Sequence, residues 1–459
     1  MDSNLLILGI GVSEYKTDGV ARFEHYCKLC GLEYRILGDG KKWYGGDMAA
    51  GAGGGQKILE ILAGIENLDN RLIVLCDTFD LIPIAGASEI IFKFNSLCSR
   101  GSVLFASETS CWPDKNLAIY YPNVNTKYKY LNSGTIMGYR DDVYNLIKNN
   151  TVQNADDDQL FFTHKFLAGE KIVLDYNCEL FQTLCNVGED VVIHKNRLYN
   201  HYCNSYPVFL HGNGPAKTLL NQFENYISVI STHLIKENTD TDISNIFLAL
   251  YIDSSKKNDF ELFFNYGLSF DHGDYVYFYD SNYDTDVREL IEAQGFKYVC
   301  NVRAYEFDDF KNSGCEYYFL LEQQWIITKK DILKELVSYV DDRHRIISPL
   351  LLKNPTKCFS NFWGDITGSG YYYRSKDYMD LISYKLRGLW NCPYVSGVIL
   401  IHKNILNWDI VEPNKFGDRD MNLCYNLRKN TLFMYMVNLN SYGHLNKVKY
   451  LTQNADSNL

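Results

Sequence analysis

Two carboxylates, Asp77 and Asp80, stand three residues apart at the end of an apolar run from Leu72 to Cys76. Such a run reads as a buried strand of a parallel sheet. Acids at its C-terminal end reach the rim where open α/β sheets bind ligands. Paired carboxylates there suit a hard divalent cation, which takes oxygen ligands and bridges to phosphates. Far downstream, a strand beginning at Val208 runs into His211, in a His-Gly-Asn-Gly-Pro frame that leads to Lys217. Imidazole is a common metal ligand, and a nearby ammonium can neutralise a diphosphate. These residues suggest the metal corner of an enzyme that uses a nucleotide-sugar diphosphate.

Other residues with chemistry to offer lie between these two. A glycine-rich stretch from Gly38 to Gly55 holds Trp43-Tyr-Gly-Gly-Asp47 and ends in Gly53-Gly-Gly-Gln-Lys57. Glycine permits close backbone approach, a loop this long is usually functional or disordered, and Lys57 is a candidate phosphate partner. The alternative is a flexible surface loop with a lysine at a helix start. Asn132 and Ser133 can serve hydroxyl groups without bulk. The run Asp156-Asp-Asp-Gln159 precedes a helical pattern; three adjacent acids read as a solvated turn or a helix N-cap, or one of them acts on a sugar.

The elements that must position these residues alternate. Strands are expected at Leu5–Ile10, Leu32–Leu37, Leu72–Cys76, Ser102–Ser107, Tyr130–Gly138, Leu174–Phe181 and Val191–His194. Helices are expected at Gly19–Leu29, Lys57–Ile65, Ala87–Cys98, Asp142–Asn150 and Leu160–Leu167. The opening β-α-β pattern is Rossmann-like, but no G-x-G-x-x-G fingerprint accompanies it, which makes a dinucleotide-binding oxidoreductase remote. Gln222 to Asp242 reads as a helix running into a boundary. Fresh strands follow at Asn245–Tyr251, Tyr275–Tyr279 and Tyr317–Leu321, with a helix at Asp286–Gln294. The last strand ends in Glu322-Gln-Gln324 and lacks the two acids of Asp77-Thr-Phe-Asp80. The second half therefore reads as a degenerate copy of the first. Domains are expected at residues 1–235 and 243–459.

Composition narrows the class. The chain has 459 residues, 46% of them hydrophobic, enough for more than one sizeable core. A net charge of −11 argues against a nucleic-acid partner, whose footprint is a basic patch. No stretch reaches the roughly 20 apolar residues of a membrane span, and the N-terminus has an apolar run without a basic flank or cleavage pattern. A cytoplasmic location is expected of the chain as written, or a lumenal one where a signal is missing from it. The 13 cysteines are scattered and odd in number, unlike a disulfide framework. Cys27-x-x-Cys30 has no second pair at zinc spacing, so buried packing is the expectation for both.

Seven motifs in order resemble the glycosyltransferase domain of the multifunctional procollagen lysyl hydroxylases. They are Trp43-Tyr-Gly-Gly-Asp47, Gly53-Gly-Gly-Gln-Lys57, Asp77-Thr-Phe-Asp80, Ser107-Glu-Thr-Ser-Cys-Trp-Pro113, Leu131-Asn-Ser-Gly134, Asp156-Asp-Asp-Gln159 and His211-Gly-Asn-Gly-Pro215. Ser360-Asn-Phe-Trp-Gly364, Trp390-Asn-Cys-Pro-Tyr394 and Asp418-Arg-Asp-Met421 resemble the accessory domain of the same enzymes. No hydroxylase motif follows, so hydroxylation is not expected. The resemblance implies an α/β, GT-A-type, Rossmann-like catalytic domain followed by a degenerate GT-A-like accessory domain without a metal motif.

It also implies a UDP-sugar donor and Mn²⁺. The metal would be held by Asp77, Asp80 and His211. Lys57 and Lys217 would lie near the diphosphate, Trp43, Met48 and Phe79 around the uridine, and Asn213 behind His211. Glu108, Trp112 and Asn132 would shape the sugar site, with Asp157 or Asp158 at the anomeric carbon or acceptor hydroxyl. Phe79 stands where the family often has tyrosine, and Met48 where it has a smaller apolar residue. The implied reaction is retaining transfer of glucose from UDP-glucose to galactosyl-hydroxylysine of collagen. Sugar transfer directly to hydroxylysine, and a non-catalytic collagen-binding protein, are the rival readings; the intact Asp77, Asp80 and His211 set argues against the latter. The assembly is left open, a homodimer included.

Overall fold

The computed structural model describes residues 5–47, 51, 53–149, 151–194, 197–227, 242–354, 359–407, 409–411 and 415–445. It divides into two compact units, Met1–Thr232 and His233–Leu459.

In the first unit a six-stranded sheet is built from β1 (Leu5–Ser13), β2 (Tyr34–Asp39), β3 (Leu72–Asp77), β5 (Val103–Glu108), β6 (Tyr130–Tyr139) and β7 (Ile172–Leu174), with β4 (Leu81–Pro83) outside it. The order is β2-β1-β3-β6-β5-β7. β1 runs parallel to β2 and β3, whereas β6 is antiparallel to both β3 and β5. Every residue of β3 from Leu72 to Cys76 is buried, because helices cover both faces of a sheet of this kind. Full burial of each such aliphatic side chain contributes about 1.5–3 kcal/mol. On one face lie Ile58, Ile61 and Ile65 of helix α2 (Gly55–Ile65), at the three- and four-residue spacing that makes an apolar stripe. On the other, Phe23 and Cys27 of helix α1 (Asp18–Leu29) pack with Val74 and Cys76. The Thr17 hydroxyl caps α1 by accepting from Val20 N at 3.2 Å.

Helices α3 (Ala87–Leu97), α4 (Arg140–Ile147) and α5 (Asp158–Leu167) follow, and a second sheet holds β8 (Phe181–Thr183) and β11 (Phe209–His211) with β4, in the order β4-β11-β8. A hairpin of β9 (Val191–His194) and β10 (Arg197–Asn200) precedes β11. Helix α6 (Lys217–Glu224) follows it.

Two expectations are corrected. Leu174–Phe181 is not one strand: the Asp175 carboxylate accepts from the backbone N–H groups of Glu179, Leu180 and Phe181 at 2.8–2.9 Å and folds the chain into a turn, with Cys178 at φ +49°. The helix expected from Gln222 instead starts at Lys217 and ends at Glu224, and residues 228–241 lie outside the described residues. Cys27 and Cys30 are free thiols, the first buried and the second half-buried, and burial pushes both up in pKa.

The second unit repeats the pattern. Strands β12 (Ile246–Ile252), β13 (Val276–Asp280), β14 (Lys297–Val299) and β15 (Tyr317–Glu322) are parallel, with helices α7 (Lys257–Tyr266) and α8 (Thr285–Ala293) between them. The strand Val398–His402 lies antiparallel against β15, as β6 lies against β3. No described helix is long and apolar enough to cross a membrane.

Candidate active site

The rim of the first unit's sheet gathers residues that are far apart in sequence. β3 delivers Asp77, and the chain turns through Asp80 into β4. β4 pairs antiparallel with β11 in a register that sets His211 opposite Leu81. That register puts His211 Nε2 3.4 Å from Asp80 Oδ1 and 3.9 Å from Asp77 Oδ2. One ligand atom from each of the three lies within 4.8 Å of the others. The His211 ring sits directly on Gly134: a Cβ there would lie 2.1 Å from its Cε1. Nδ1 of His211 is buried without a hydrogen-bond partner. Two carboxylates and an imidazole suit a divalent cation of the Mn²⁺ type, and three protein ligands leave coordination positions for substrate oxygens.

Lysines flank the acids. Lys57 Nζ lies 2.9 Å from Asp77 Oδ1 and 3.4 Å from Asp158 Oδ2. Burial works against its charge, but Asp158 and Asp77 outweigh burial and hold the ammonium above its usual range. Lys217, half exposed, reaches Asp80 Oδ2 at 3.3 Å. Burial raises the Asp80 carboxyl, yet Lys217 and His211 together hold it well below the usual carboxylate range. Asp77 goes the other way, burial outweighing the attraction of Lys57.

Asp157 and Asp158 have separate tasks. Asp157 caps α5, accepting from Leu160 N at 2.7 Å, and also accepts from Gly53 N at 3.3 Å. Asp158 is buried, paired with Lys57, and accepts from Ser133 Oγ at 2.9 Å. Gly54, at φ +105°, lies so close that a Cβ would come within 2.3 Å of Asp158 Oδ1. Gly55 N donates to Asp156 O at 2.6 Å, which joins the end of the glycine-rich loop to the acidic turn.

Behind this centre Glu108, at the end of β5, is only 5% exposed. It accepts from Gln159 Nε2 at 2.7 Å, Asn213 Nδ2 at 3.0 Å and Asn132 Nδ2 at 3.3 Å. Burial pushes its carboxyl up to about 7 against those three donors. Asn213 also accepts from Leu184 N and Cys185 N, which fixes the loop after His211. Gln159 ties this web to the rest: its Nε2 donates to Trp112 O at 3.1 Å, and its Oε1 accepts from Ser133 N at 3.2 Å. The Trp112 side chain is 47% exposed.

The remaining expected residues are less connected. Phe79 is half-buried between the two acids, and its carbonyl accepts from Arg22 Nη2 at 3.3 Å. The Trp43 indole donates to Gly46 O at 2.7 Å and has no hydrogen bond to either web among the described residues. Met48 lies outside the described residues. Two residues had no assigned role from sequence. Gln159 stood inside a motif already singled out. Buried Arg22, paired with Glu224 at 3.0 Å, had no signal beyond being a cation on an apolar helix face.

A mixed sheet with one antiparallel strand beside the acid-bearing β3, and an Asp-x-x-Asp plus His cluster at its rim, define a UDP-sugar glycosyltransferase of the GT-A type. The chain belongs to the procollagen lysyl hydroxylase (PLOD) glycosyltransferase family. Residues 2–238 match the PLOD GT domain, and residues 274–455 match the N-terminal domain of glycosyltransferase family 25. The chain is 52% identical over 451 residues to Uncharacterized protein R699 of Acanthamoeba polyphaga mimivirus, spanning 97% of this chain and 98% of that one. It is 30% identical over 498 residues to human procollagen-lysine,2-oxoglutarate 5-dioxygenase 2, spanning 99% of this chain and 67% of that one. Among solved structures, a glycosyltransferase involved in glycosylation of the PBCV-1 major capsid overlaps 47% of this chain and 96% of its own, at a TM-score of 0.31 and 13% identity. GalNAc-T7 with UDP, GalNAc and Mn²⁺ overlaps 43% of each chain, at a TM-score of 0.31 and 12% identity. Overlap that slight carries no argument of its own.

Proposed function

We propose that the chain transfers glucose from UDP-glucose to galactosyl-hydroxylysine of a collagen-like protein, with Mn²⁺ and with retention of configuration. The observation that carries this reading is the Asp77, Asp80 and His211 cluster flanked by Lys57 and Lys217. The names of the animal relatives, which concern procollagen lysine, supply the acceptor class.

A divalent cation held by Asp77, Asp80 and His211 would neutralise the charge that develops on the departing diphosphate. Lys217 supports that task from the protein side: its side chain is half exposed and its one ion pair among the described residues is with Asp80, so it can turn to a phosphate oxygen. Lys57 stays fixed between Asp77 and Asp158 and keeps the two acids from repelling each other. In this reading Asp158 is the acid that faces the anomeric carbon and stabilises positive charge there. Asp157 is engaged as the cap of α5. Glu108, Asn132 and Gln159 form a rigid polar wall for sugar hydroxyls, and Trp112 offers an exposed aromatic face beside it.

The test is UDP release in Mn²⁺, with UDP-glucose and UDP-galactose each offered to a hydroxylysine peptide and to its galactosylated form, and with Asp80→Ala as control. Glucose-dependent turnover on the galactosylated peptide alone, lost in the variant, is the expected result. Turnover on bare hydroxylysine moves the assignment to the first sugar step. UDP release with no peptide pair above background removes the collagen acceptor.

A further inference from the structure

The second unit repeats the strand geometry of the first, without a cluster like Asp77, Asp80 and His211 among its described residues. β15 ends at Glu322 as β3 ends at Asp77, each with a parallel strand on one side and an antiparallel strand on the other. Where Lys57 stands between two carboxylates in the first unit, Tyr305 stands between two in the second. Its hydroxyl lies 2.6 Å from Asp420 Oδ1 and 3.1 Å from Glu322 Oε1. A phenol has one proton to give, so both short contacts are satisfied only when one acid carries a proton. Burial, and Glu322 next to it, push the Asp420 carboxyl well above its usual range. Asp420, in contact with the Tyr305 hydroxyl and accepting from Gly397 N at 3.0 Å, is therefore a hydrogen-bonded wall.

An open cavity of about 420 Å³ lies over this web, lined by Ser281, Arg303, Glu322, Gln324, Asp418 and Arg419 among others. A second cavity of about 210 Å³, with Phe416 on its wall, shares Arg303 and Arg419 with it. The charges decide what fits. Arg419 is already paired with Glu322 at 3.0 Å, and its guanidinium lies over the Tyr251 and Tyr305 rings. Arg303 is exposed and has no ion pair among the described residues. A diphosphate would thus meet one uncommitted cation against Glu322 and Asp418, with no metal cluster beside it among the described residues. A neutral polyol meets no such repulsion. Carboxylate, guanidinium and amide groups each present paired acceptors or donors to vicinal hydroxyls, and an apolar wall adjoins them.

We propose that this cavity of the second unit is a metal-independent binding site for a neutral hexose residue of a glycan, with Arg303, Glu322 Oε2 and Gln324 as its hydroxyl partners: Oε2 accepts from Gln324 Nε2 at 2.7 Å and keeps a second lone pair, and Gln324 keeps its own oxygen and a further N–H. The site goes beyond the transfer reaction and does not depend on its donor or acceptor.

Saturation-transfer NMR of the full chain in EDTA, with free galactose, free glucose and UDP as separate probes, tests it. One of the two sugars should bind, should still bind to Asp80→Ala, and should weaken at least tenfold in Arg303→Ala and in Glu322→Gln. Arg303 makes no ion pair among the described residues, so its variant keeps the test informative even where Glu322→Gln disturbs the web. Absence of sugar binding in EDTA overturns the proposal. So does sugar binding that Arg303→Ala leaves intact, or UDP binding in EDTA that Arg303→Ala removes. Since the readout needs neither metal nor turnover, its failure is separate from failure of the glucosyl-transfer reading.

Discussion

Asp157 and Asp158 are neighbours in sequence with nothing to rank them, and three-dimensional contacts separate them. Asp157 spends its oxygens on Leu160 N and Gly53 N, while Asp158 is held against Lys57 and Ser133. Asp157→Ala is expected to cost about 1 kcal/mol of stability, as loss of an N-cap does, and to retain most turnover. Asp158→Ala is expected to lower kcat about a hundredfold or more, as loss of a preorganised charge does. Paired urea titrations and UDP-release rates check this, and equal loss of turnover in both variants rejects the division of labour. Glu108 gives a pH signature. Its carboxyl is raised from 4.5 to about 7, so between those values the folded chain holds a proton that the unfolded chain has released. Its contribution is full at acid pH and is lost as pH rises through that window, on the order of 3 kcal/mol. Glu108→Gln cannot titrate, and its amide nitrogen opposes another donor there, so it is less stable than wild type at pH 5. The stability gap between the two should close by that amount by pH 8 in metal-free protein. A gap that stays constant with pH means that Glu108 is ionised throughout.

At the scale of elements, strands carry the acids and a register brings the histidine. The apolar run from Leu72 announced β3, and the acids after it announced the rim. That His211 lies against Asp80 depends on β11 pairing with β4 in one register, and β4 is three residues long with no signal of its own. The Leu174–Phe181 run had the right composition for a strand, but a single buried Asp175 turns the backbone. Side-chain capture of backbone N–H groups is not a periodic feature, so a pattern search passes over it. Gly134 is the converse case. It was visible inside a motif, yet its purpose emerges only when the His211 ring is found 2.1 Å from where its Cβ would be. Gly134→Ala must push that ring away from the two acids. Since β6 tolerates alanine as a strand residue, the fold should persist with a midpoint close to wild type, while Mn²⁺ affinity drops at least tenfold. Calorimetric Mn²⁺ titration alongside thermal unfolding separates the two effects; unchanged affinity would show that His211 is not a ligand.

At the scale of the chain, two units share one strand logic, but among the described residues only the first gathers a group of three able to hold an ion. The position three residues after Asp77 is Asp80, and the position three residues after Glu322 is Trp325, which is fully buried at the start of β16 (Trp325–Ile327). Glu322 itself is committed to Arg419, Gln324 and Tyr305. Among the described residues, Asp77, Asp80 and His211 form the one group of three able to hold an ion. A single saturable Mn²⁺ per chain is therefore expected, and none in Asp80→Ala. With a net charge of −11 the chain will also attract cations diffusely, so the titration belongs at about 0.15 M salt, where a Debye length of roughly 8 Å screens exposed acids and leaves a buried cluster intact. Free Mn²⁺ measured by electron paramagnetic resonance counts the bound ions directly. A second equivalent, or one that survives in Asp80→Ala, would place a metal in the second unit. Glu322 would then have to release Arg419 to become a ligand, since the Trp325 indole has no lone pair to offer an ion.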